Sequence, residues 1–197
     1  MKAVIATRNR GKLKELQNLL SDLDLEIVPL DSFNNIGEIE EDGTTFFDNA
    51  MKKARTVAQK TGLMAIADDS GLEVDALNGR PGVFSARYAG KKASDKDNYL
   101  KLLQEMKGIP EERRGAQFRC IIIAFRPDGK WVSAEGVCRG WITFTPKGEQ
   151  GFGYDPVFMP EGDSRTMAQL TREEKNKISH RGKALLKLKE KIRQLMD

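Results

Sequence analysis

Two adjacent carboxylates, Asp68 and Asp69, follow a short apolar run in the sequence ADDSGLEVDAL. A second group of acids, Glu40, Glu41 and Asp42, lies earlier in the chain. Mg²⁺ takes oxygen ligands and is usually held by one or two carboxylates together with substrate phosphates. The two groups therefore form a candidate magnesium site. The alternative is a plain Asp-Ser-Gly turn and a separate, solvated acidic loop.

The sequence TRNRGK is a candidate anion site, because it lies between a predicted strand and a predicted helix. Backbone N–H groups at the start of a helix, with a lysine nearby, can bind phosphate. The sequence contains no G-x-x-x-x-G-K-[ST] loop, so this is not a Walker A site. An asparagine cap followed by solvated lysine is the alternative. The residues of this candidate site are Thr7, Arg8, Asn9, Arg10, Gly11 and Lys12.

Two later sequences could contact an organic ligand. In GFGYDP, glycines allow a close approach of the backbone, and Phe152 or Tyr154 could stack on a base. In KNKISHRGK, the single histidine of the chain, His180, precedes Arg181, and both side chains can donate hydrogen bonds to carbonyl oxygens. A tight loop with core aromatic residues and a structural histidine are the alternatives.

The apolar pattern predicts the elements that would position these residues. Strands are predicted at KAVIAT, LEIVPL and LMAIAD, the last of which ends at the acidic pair. Two capping boxes, Ser94 with Asp97 and Thr171 with Glu174, predict helix starts. The sequence RPDG predicts a hairpin, and an amphipathic helix is predicted from Ile178 onward. This order indicates an α/β fold with a mixed sheet, in one domain over residues 1–197 without an evident linker.

Composition limits the class of protein. The chain has 197 residues, of which 31% are charged, and a net charge of +4, which favours anionic partners. Its two cysteines form no CxxC motif, so a reducing compartment is expected. No apolar run is long enough to span a membrane, and the N-terminus is typical of a first strand and not of a signal peptide. We therefore expect a cytoplasmic protein without a membrane partner.

The order of the motifs resembles the inosine/xanthosine triphosphate pyrophosphatase family. The resemblance is carried by T-x-N-x-x-K, the acidic segment, ADDSGLEVDALNGRPGVFSARYAG, GFGYDPVF and SHRGKAL, which together cover nearly the whole chain. It implies an elongated α/β protein with a long mixed β-sheet flanked by helices, two lobes, a central active-site cleft and a homodimer. It also implies that ITP, dITP and XTP are hydrolysed to the monophosphate and pyrophosphate with Mg²⁺, which removes deaminated purines from the nucleotide pool.

The resemblance also implies residue roles. Glu40 and Asp69 match the metal-binding acids, and Asp69 further matches the general base. The predicted substrate contacts are the Thr7–Lys12 segment and Lys53 for the phosphates, Ser70, the loop residues Phe152, Gly153, Tyr154 and Asp155 against the base, and Lys175, His180 and Arg181 closing over the purine.

Residue chemistry agrees with these roles. Lys12, Lys53 and Mg²⁺ would neutralise a triphosphate and stabilise the departing pyrophosphate. Donors from Arg181 or the His180 region would satisfy the 6-keto oxygen of hypoxanthine or xanthine and would oppose the 6-amino group of adenine. Two alternatives stay open: a related nucleotide pyrophosphatase with another base preference, and a basic nucleic-acid-binding protein. A nucleic-acid-binding protein would not need the acidic residues Glu40 and Asp69.

Overall fold

The computed structural model describes residues 1–34 and 36–196. The helices are α1 (Arg10–Leu20), α2 (Phe46–Thr61), α3 (Asp95–Glu105), α4 (Arg172–Ile178) and α5 (His180–Met196). The strands are β1 (Lys2–Ile5), β2 (Glu26–Pro29), β3 (Met64–Val74), β4 (Gly115–Phe125), β5 (Trp131–Ile142) and β6 (Phe158–Pro160). Within the described residues, no helix combines the length and the apolar character that crossing a membrane requires.

The six strands form one sheet in the order β2-β1-β3-β4-β5-β6. Strand β1 pairs in parallel with both β2 and β3, whereas β5 and β6 are antiparallel. The prediction of an α/β fold with a mixed sheet is therefore confirmed. The hairpin predicted at RPDG is also confirmed, because β4 and β5 are neighbours and the N–H of Arg126 donates to the carbonyl of Lys130 at 2.8 Å.

The chain divides into two compact units. The first unit comprises Met1–Asp69, Cys120–Gly136 and the residues from Arg181 onward. Its core contains apolar residues of β1, β3 and β4 together with leucines and isoleucines of α1 and α5, including the predicted Leu185, Leu188, Ile192 and Leu195.

The second unit comprises Ser70–Arg119 and Val137–His180. Its core is built from apolar residues that include Leu72, Leu102, Phe118 and Phe158. Each unit therefore has its own hydrophobic core.

Two element boundaries differ from the prediction. Strand β3 does not end at the acidic pair but continues through Asp68 and Asp69 to Val74. It can do so because both carboxylates have charged or polar partners on neighbouring helices. The amphipathic C-terminal helix begins at His180 and not at Ile178, because Ser179 has an extended backbone that separates α4 from α5.

The predicted helix caps are confirmed. Ser94 and Asp97 form a reciprocal capping box at the start of α3, and Thr171 and Glu174 form another at the start of α4. Such boxes satisfy backbone N–H groups that the first turn of a helix leaves without a partner. The sequence therefore determines where both helices begin.

Arg114 joins three segments of the second unit. Its guanidinium is buried and donates to the carbonyl oxygens of Met106, Ile109, Ile142 and Thr143 at 2.7–3.3 Å. Burial lowers the pKa of Arg114. The planar guanidinium has five N–H donors in a fixed geometry, which a lysine ammonium cannot reproduce.

We predict that Arg114→Lys lowers the free energy of unfolding by about 2–4 kcal/mol, because it leaves buried carbonyls without donors. Urea denaturation measures the change. The adjacent, exposed Arg113 provides the control: Arg113→Lys is expected to change stability by less than about 0.5 kcal/mol. Equal stability of the two variants would contradict this role of Arg114.

Candidate active site

Asp68 faces helices α1 and α5 of the first unit. Successive side chains of a strand point to opposite faces, so Asp68 shares a face with Met64 and Ile66, which belong to the core with α1 and α5. Its Oδ2 lies 3.0 Å from the Nζ of Lys12 and accepts hydrogen bonds from Nε and Nη2 of Arg181, each at 3.3 Å. One carboxylate oxygen therefore joins two cations.

Arg181 also donates a hydrogen bond to Glu15 on α1, and its side chain is almost completely buried. Burial alone would lower the pKa of Arg181, but Asp68 and Glu15 outweigh it and raise the pKa. The guanidinium therefore stays charged and joins α5 to α1 and β3. Its predicted contact with a purine keto oxygen stays a prediction.

The charges around Asp68 keep it ionised. Burial by itself would raise its pKa, but Lys12, Arg181 and Lys53 outweigh burial and hold the pKa of Asp68 well below its ordinary value. A carboxylate with so low a pKa is a weak base. Asp68 is therefore suited to holding Lys12 and Arg181 in place and not to accepting a proton.

Asp69 faces the opposite side of β3, toward α2. Its Oδ2 accepts a hydrogen bond from the Nδ2 of Asn49 at 3.0 Å, and its Oδ1 lies 3.7 Å from the Nζ of Lys53. The same ammonium donates a hydrogen bond to Glu41. Asn49 and Lys53 are four residues apart on α2 and therefore lie on one face of that helix.

The electrostatics of Asp69 differ from those of Asp68. Burial raises the pKa of Asp69 above its ordinary value, although Lys53 and Lys12 oppose the shift. Burial by itself would lower the pKa of Lys53, but Asp69 and Glu41 outweigh burial and raise that pKa. Burial by itself would raise the pKa of Glu41, but Lys53 outweighs it and lowers that pKa. Asp69 is thus the stronger base of the two adjacent aspartates.

The carboxylate oxygens of Asp69 and Glu41 suit a hard divalent cation. Asp69 and Glu41 both approach the ammonium of Lys53, so two carboxylates already converge on a positive group. Among the described residues there is no cluster of three or more histidine, cysteine or acidic side chains suited to a metal. Mg²⁺ needs only one or two carboxylates when phosphates complete its shell. The predicted ligand Glu40 is exposed, and its neighbour Glu41 is the acid of this segment that contacts Lys53.

The segment TRNRGK forms a capped helix start. The Oδ1 of Asn9 accepts hydrogen bonds from the N–H groups of Gly11 and Lys12 at 2.9 and 3.1 Å, and Thr7 accepts one from the N–H of Asn9. The Arg8 guanidinium donates to the carbonyl of Ile36 at 2.7 Å. The Asn9 side chain therefore occupies the N–H groups of Gly11 and Lys12 that could otherwise bind an anion. The strongest anion-binding group of this segment beside Asp68 is then the Lys12 ammonium. Arg10 is exposed at the first position of α1.

In the second unit, the predicted base-binding loop is held by a buried ion pair. The Nζ of Lys175 lies 2.6 Å from the Oδ2 of Asp155 and 4.7 Å from the centre of the Phe152 ring. The same Oδ2 accepts the N–H of Phe152 at 2.8 Å. Gly151 has a φ of 81°, and a Cβ there would lie 2.0 Å from that carboxylate oxygen, so only glycine fits. The structure thus brings Phe152, Asp155 and Lys175 together.

The remaining predicted residues of this unit have structural partners. The Tyr154 hydroxyl donates to the carbonyl of Ser85 at 2.8 Å, and burial raises the pKa of Tyr154 well above its ordinary value. The buried His180 ring stacks on Phe118, with centres 4.7 Å apart and planes 13° apart. Ser70 is half-buried on β3.

Sequence reasoning missed four residues that support these groups: Glu15, Asn49, Ser85 and Phe118. The spacing could have found two of them, because Glu15 lies three residues after Lys12 and Asn49 four residues before Lys53, so each lies on its lysine's helix face. Ser85 and Phe118 have no such signal, since their contacts join segments distant in the sequence.

The lysines and carboxylates gathered on both faces of one strand of this mixed α/β fold suit the binding of a phosphorylated compound. The sequence profile of the Ham1 family matches residues 3–191. The chain belongs to the Ham1 family, which confirms the resemblance noted from its motifs.

Individual relatives support the assignment to this family. The chain is 51% identical over 195 residues to a dITP/XTP pyrophosphatase of Desulforamulus reducens, with 99% of this chain and 97% of the relative covered. It is 53% identical to the dITP/XTP pyrophosphatase of Nitratidesulfovibrio vulgaris, over 95% of this chain and 93% of the relative. The solved structure of a HAM1 protein from Coxiella burnetii superposes with a TM-score of 0.90 at 43% identity, covering 98% of this chain and 99% of that one.

The opposite pKa directions of the two aspartates predict opposite effects on stability in metal-free buffer. The folded-state pKa of Asp68 lies below its unfolded value, so its charge stabilises the fold above that unfolded pKa and the effect is lost as pH falls. We expect Asp68→Asn to lower the free energy of unfolding by about 3–5 kcal/mol at pH 7, because the half-buried Lys12 and the buried Arg181 both lose this carboxylate.

The folded-state pKa of Asp69 lies above its unfolded value, so its ionisation costs stability as pH rises through that window. We therefore expect Asp69→Asn to unfold at a higher temperature than the wild type at pH 7, with a smaller gap near pH 4. Thermal unfolding followed by circular dichroism at both pH values measures this. A less stable Asp69→Asn at pH 7 would contradict the assignment.

Proposed function

We propose that this chain hydrolyses the nonstandard purine nucleoside triphosphates ITP, dITP and XTP to the nucleoside monophosphate and pyrophosphate. The observation that carries the proposal is the set of ion pairs along β3: Lys53 lies beside Asp69 and Glu41 on one face, and Lys12 lies beside Asp68 on the other. The relatives named dITP/XTP pyrophosphatase support the choice of substrate.

The triphosphate is proposed to bind in the first unit. Lys12 and Lys53 supply positive charge toward the phosphates, and Asp68 and Glu41 hold these two ammonium groups in position. The same charges stabilise the negative charge that develops on the pyrophosphate as it leaves. Ionic contacts of this kind assist catalysis because the groups are ordered before the substrate binds.

Asp69 is proposed to act as the general base. It accepts a proton from the water molecule whose oxygen attacks the α-phosphorus, while the bond from that phosphorus to the bridging oxygen breaks and the electron pair leaves with pyrophosphate. Of the two adjacent aspartates, Asp69 is the proposed base because Lys12 and Arg181 hold Asp68, whereas burial raises the pKa of Asp69 in the metal-free protein. Asn49 donates to the Oδ2 of Asp69, which fixes the orientation of the carboxylate.

Mg²⁺ is the proposed cofactor, with Asp69 and Glu41 as its protein ligands. When bound, the ion neutralises phosphate oxygens and lowers the pKa of a coordinated water. Glu40, which the resemblance indicated, is the alternative acid from the same segment.

The base is proposed to bind to residues of the second unit. Phe152 offers an aromatic ring, which the ion pair of Lys175 and Asp155 holds in place. The imidazole of His180 is fixed by stacking on Phe118. A hydrogen-bond donor held in place, such as the His180 imidazole, favours a keto oxygen of the base over an amino group. A mismatched buried polar group costs about 1–3 kcal/mol of binding free energy.

We also propose that the protein acts in the cytoplasm as a homodimer. Support comes from the resemblance, which implies a dimer, and from the two buried thiols, Cys120 and Cys138, which suit a reducing compartment. Light scattering of the purified protein tests the dimer.

We predict that the wild type releases pyrophosphate from ITP much faster than from ATP or GTP, and only with Mg²⁺ present. Asp69→Asn is expected to lose at least about 10³-fold in kcat while staying folded, because its amide cannot accept the proton. A substrate panel with pyrophosphate detection measures both. Equal turnover of ITP, ATP and GTP would favour a relative with another base preference, and near-normal turnover of folded Asp69→Asn would contradict the general base.

The choice between the two acids gives a separate prediction. Glu41→Gln is expected to raise the Mg²⁺ concentration for half-maximal activity by about tenfold or more, whereas the neighbouring Glu40→Gln stays close to the wild type. Glu41 lies beside Lys53 and Glu40 is exposed, so the pair is a matched control. The reverse result would assign the metal to Glu40.

A further inference from the structure

We propose that Asp95 is a positioning residue for the base-binding loop Phe152–Asp155, an inference that rests on the proposed function of that loop. Asp95 is the first residue of α3, and its Oδ2 accepts a hydrogen bond from the N–H of Gly153 at 2.7 Å. Both residues belong to the second unit. The acceptor is a carboxylate, so this hydrogen bond is of the strong, charge-assisted kind.

The N–H of Gly153 belongs to the peptide group that links Gly153 to Phe152. A hydrogen bond to this N–H therefore restrains the backbone that carries the Phe152 ring. Gly153 has a φ of 63°, in the left-handed region that glycine adopts readily. Because glycine has no Cβ, its backbone is also freer to rotate than that of other residues. Phe152 and Gly153 donate consecutive N–H groups to two different carboxylates, those of Asp155 and Asp95. Fixing both amides fixes the direction in which the Phe152 ring points.

Two other side-chain contacts of the loop hold different atoms. Lys175 binds the Asp155 carboxylate, and Tyr154 is held through its hydroxyl at Ser85. Neither side-chain contact restrains the peptide between Phe152 and Gly153, whose carbonyl oxygen accepts the N–H of Asp155 at 3.3 Å within the loop itself. Asp95 therefore adds a restraint on the segment that carries the ring, from a residue outside the motifs that indicated the site.

Asp95 can be separated from the stability of its helix. The described capping bonds of α3 are made by Ser94 and Asp97, not by Asp95. Asp95 is exposed, so its removal leaves no cavity in the core. Asp97, also exposed and in the same turn, is therefore a matched control that weakens the helix without contacting the loop.

The test compares Asp95→Ala, Asp95→Asn and Asp97→Ala. In Asp95→Ala we expect the KM for the best substrate of the wild type to rise about tenfold, which corresponds to about 1.4 kcal/mol, with kcat nearly unchanged. Asp95→Asn keeps an acceptor oxygen and is expected to restore most of the affinity. Asp97→Ala is expected to lower the melting temperature and to leave KM unchanged.

Amide hydrogen exchange of the ligand-free protein provides a readout independent of activity. The Gly153 amide is expected to exchange at least about tenfold faster in Asp95→Ala than in Asp97→Ala. Unchanged Gly153 exchange, or equal KM values in the two alanine variants, would overturn the proposal. If the wild type fails to hydrolyse any nucleoside triphosphate, the proposed function fails, while the exchange experiment still decides whether Asp95 holds the loop.

Discussion

The first unit depends on how two neighbouring negative charges are kept apart on one strand. Asp68 and Asp69 are consecutive and buried, and the alternation of side chains along β3 turns them to opposite faces. Asp68 meets Lys12 of α1 and Arg181 of α5, and Asp69 meets residues of α2. Without these cations, two ionised carboxylates could not stay buried side by side.

This separation gives the two acids different chemistry. Lys12 and Arg181 keep Asp68 ionised at neutral pH, so that it holds a lysine and connects α1, α5 and β3. Asp69 has weaker compensation, so burial raises its pKa and leaves it able to accept a proton. One dipeptide thus supplies both a fixed charge and a carboxylate with a raised pKa, the two properties on which the proposed function relies.

Sequence reasoning predicted what depends on local patterns. The caps at Ser94 and Thr171 and the turn at RPDG are confirmed because short-range hydrogen bonds determine them. The end of β3 was predicted wrongly, because the partners that allow an aspartate pair inside a strand come from helices distant in the sequence. The contact of Glu41 with Lys53 could not be predicted by periodicity, since the acidic segment has no regular structure. The position of Arg181 beside Glu15 likewise depends on long-range packing.

The most direct test of the account is a crystal structure with Mg²⁺ and a non-hydrolysable inosine triphosphate analogue. We predict a metal ion coordinated by the carboxylates of Asp69 and Glu41 and by phosphate oxygens, with the ammonium groups of Lys12 and Lys53 directed at the same phosphates. A triphosphate bound away from Asp69, with both lysines still paired only to their acids, would contradict it.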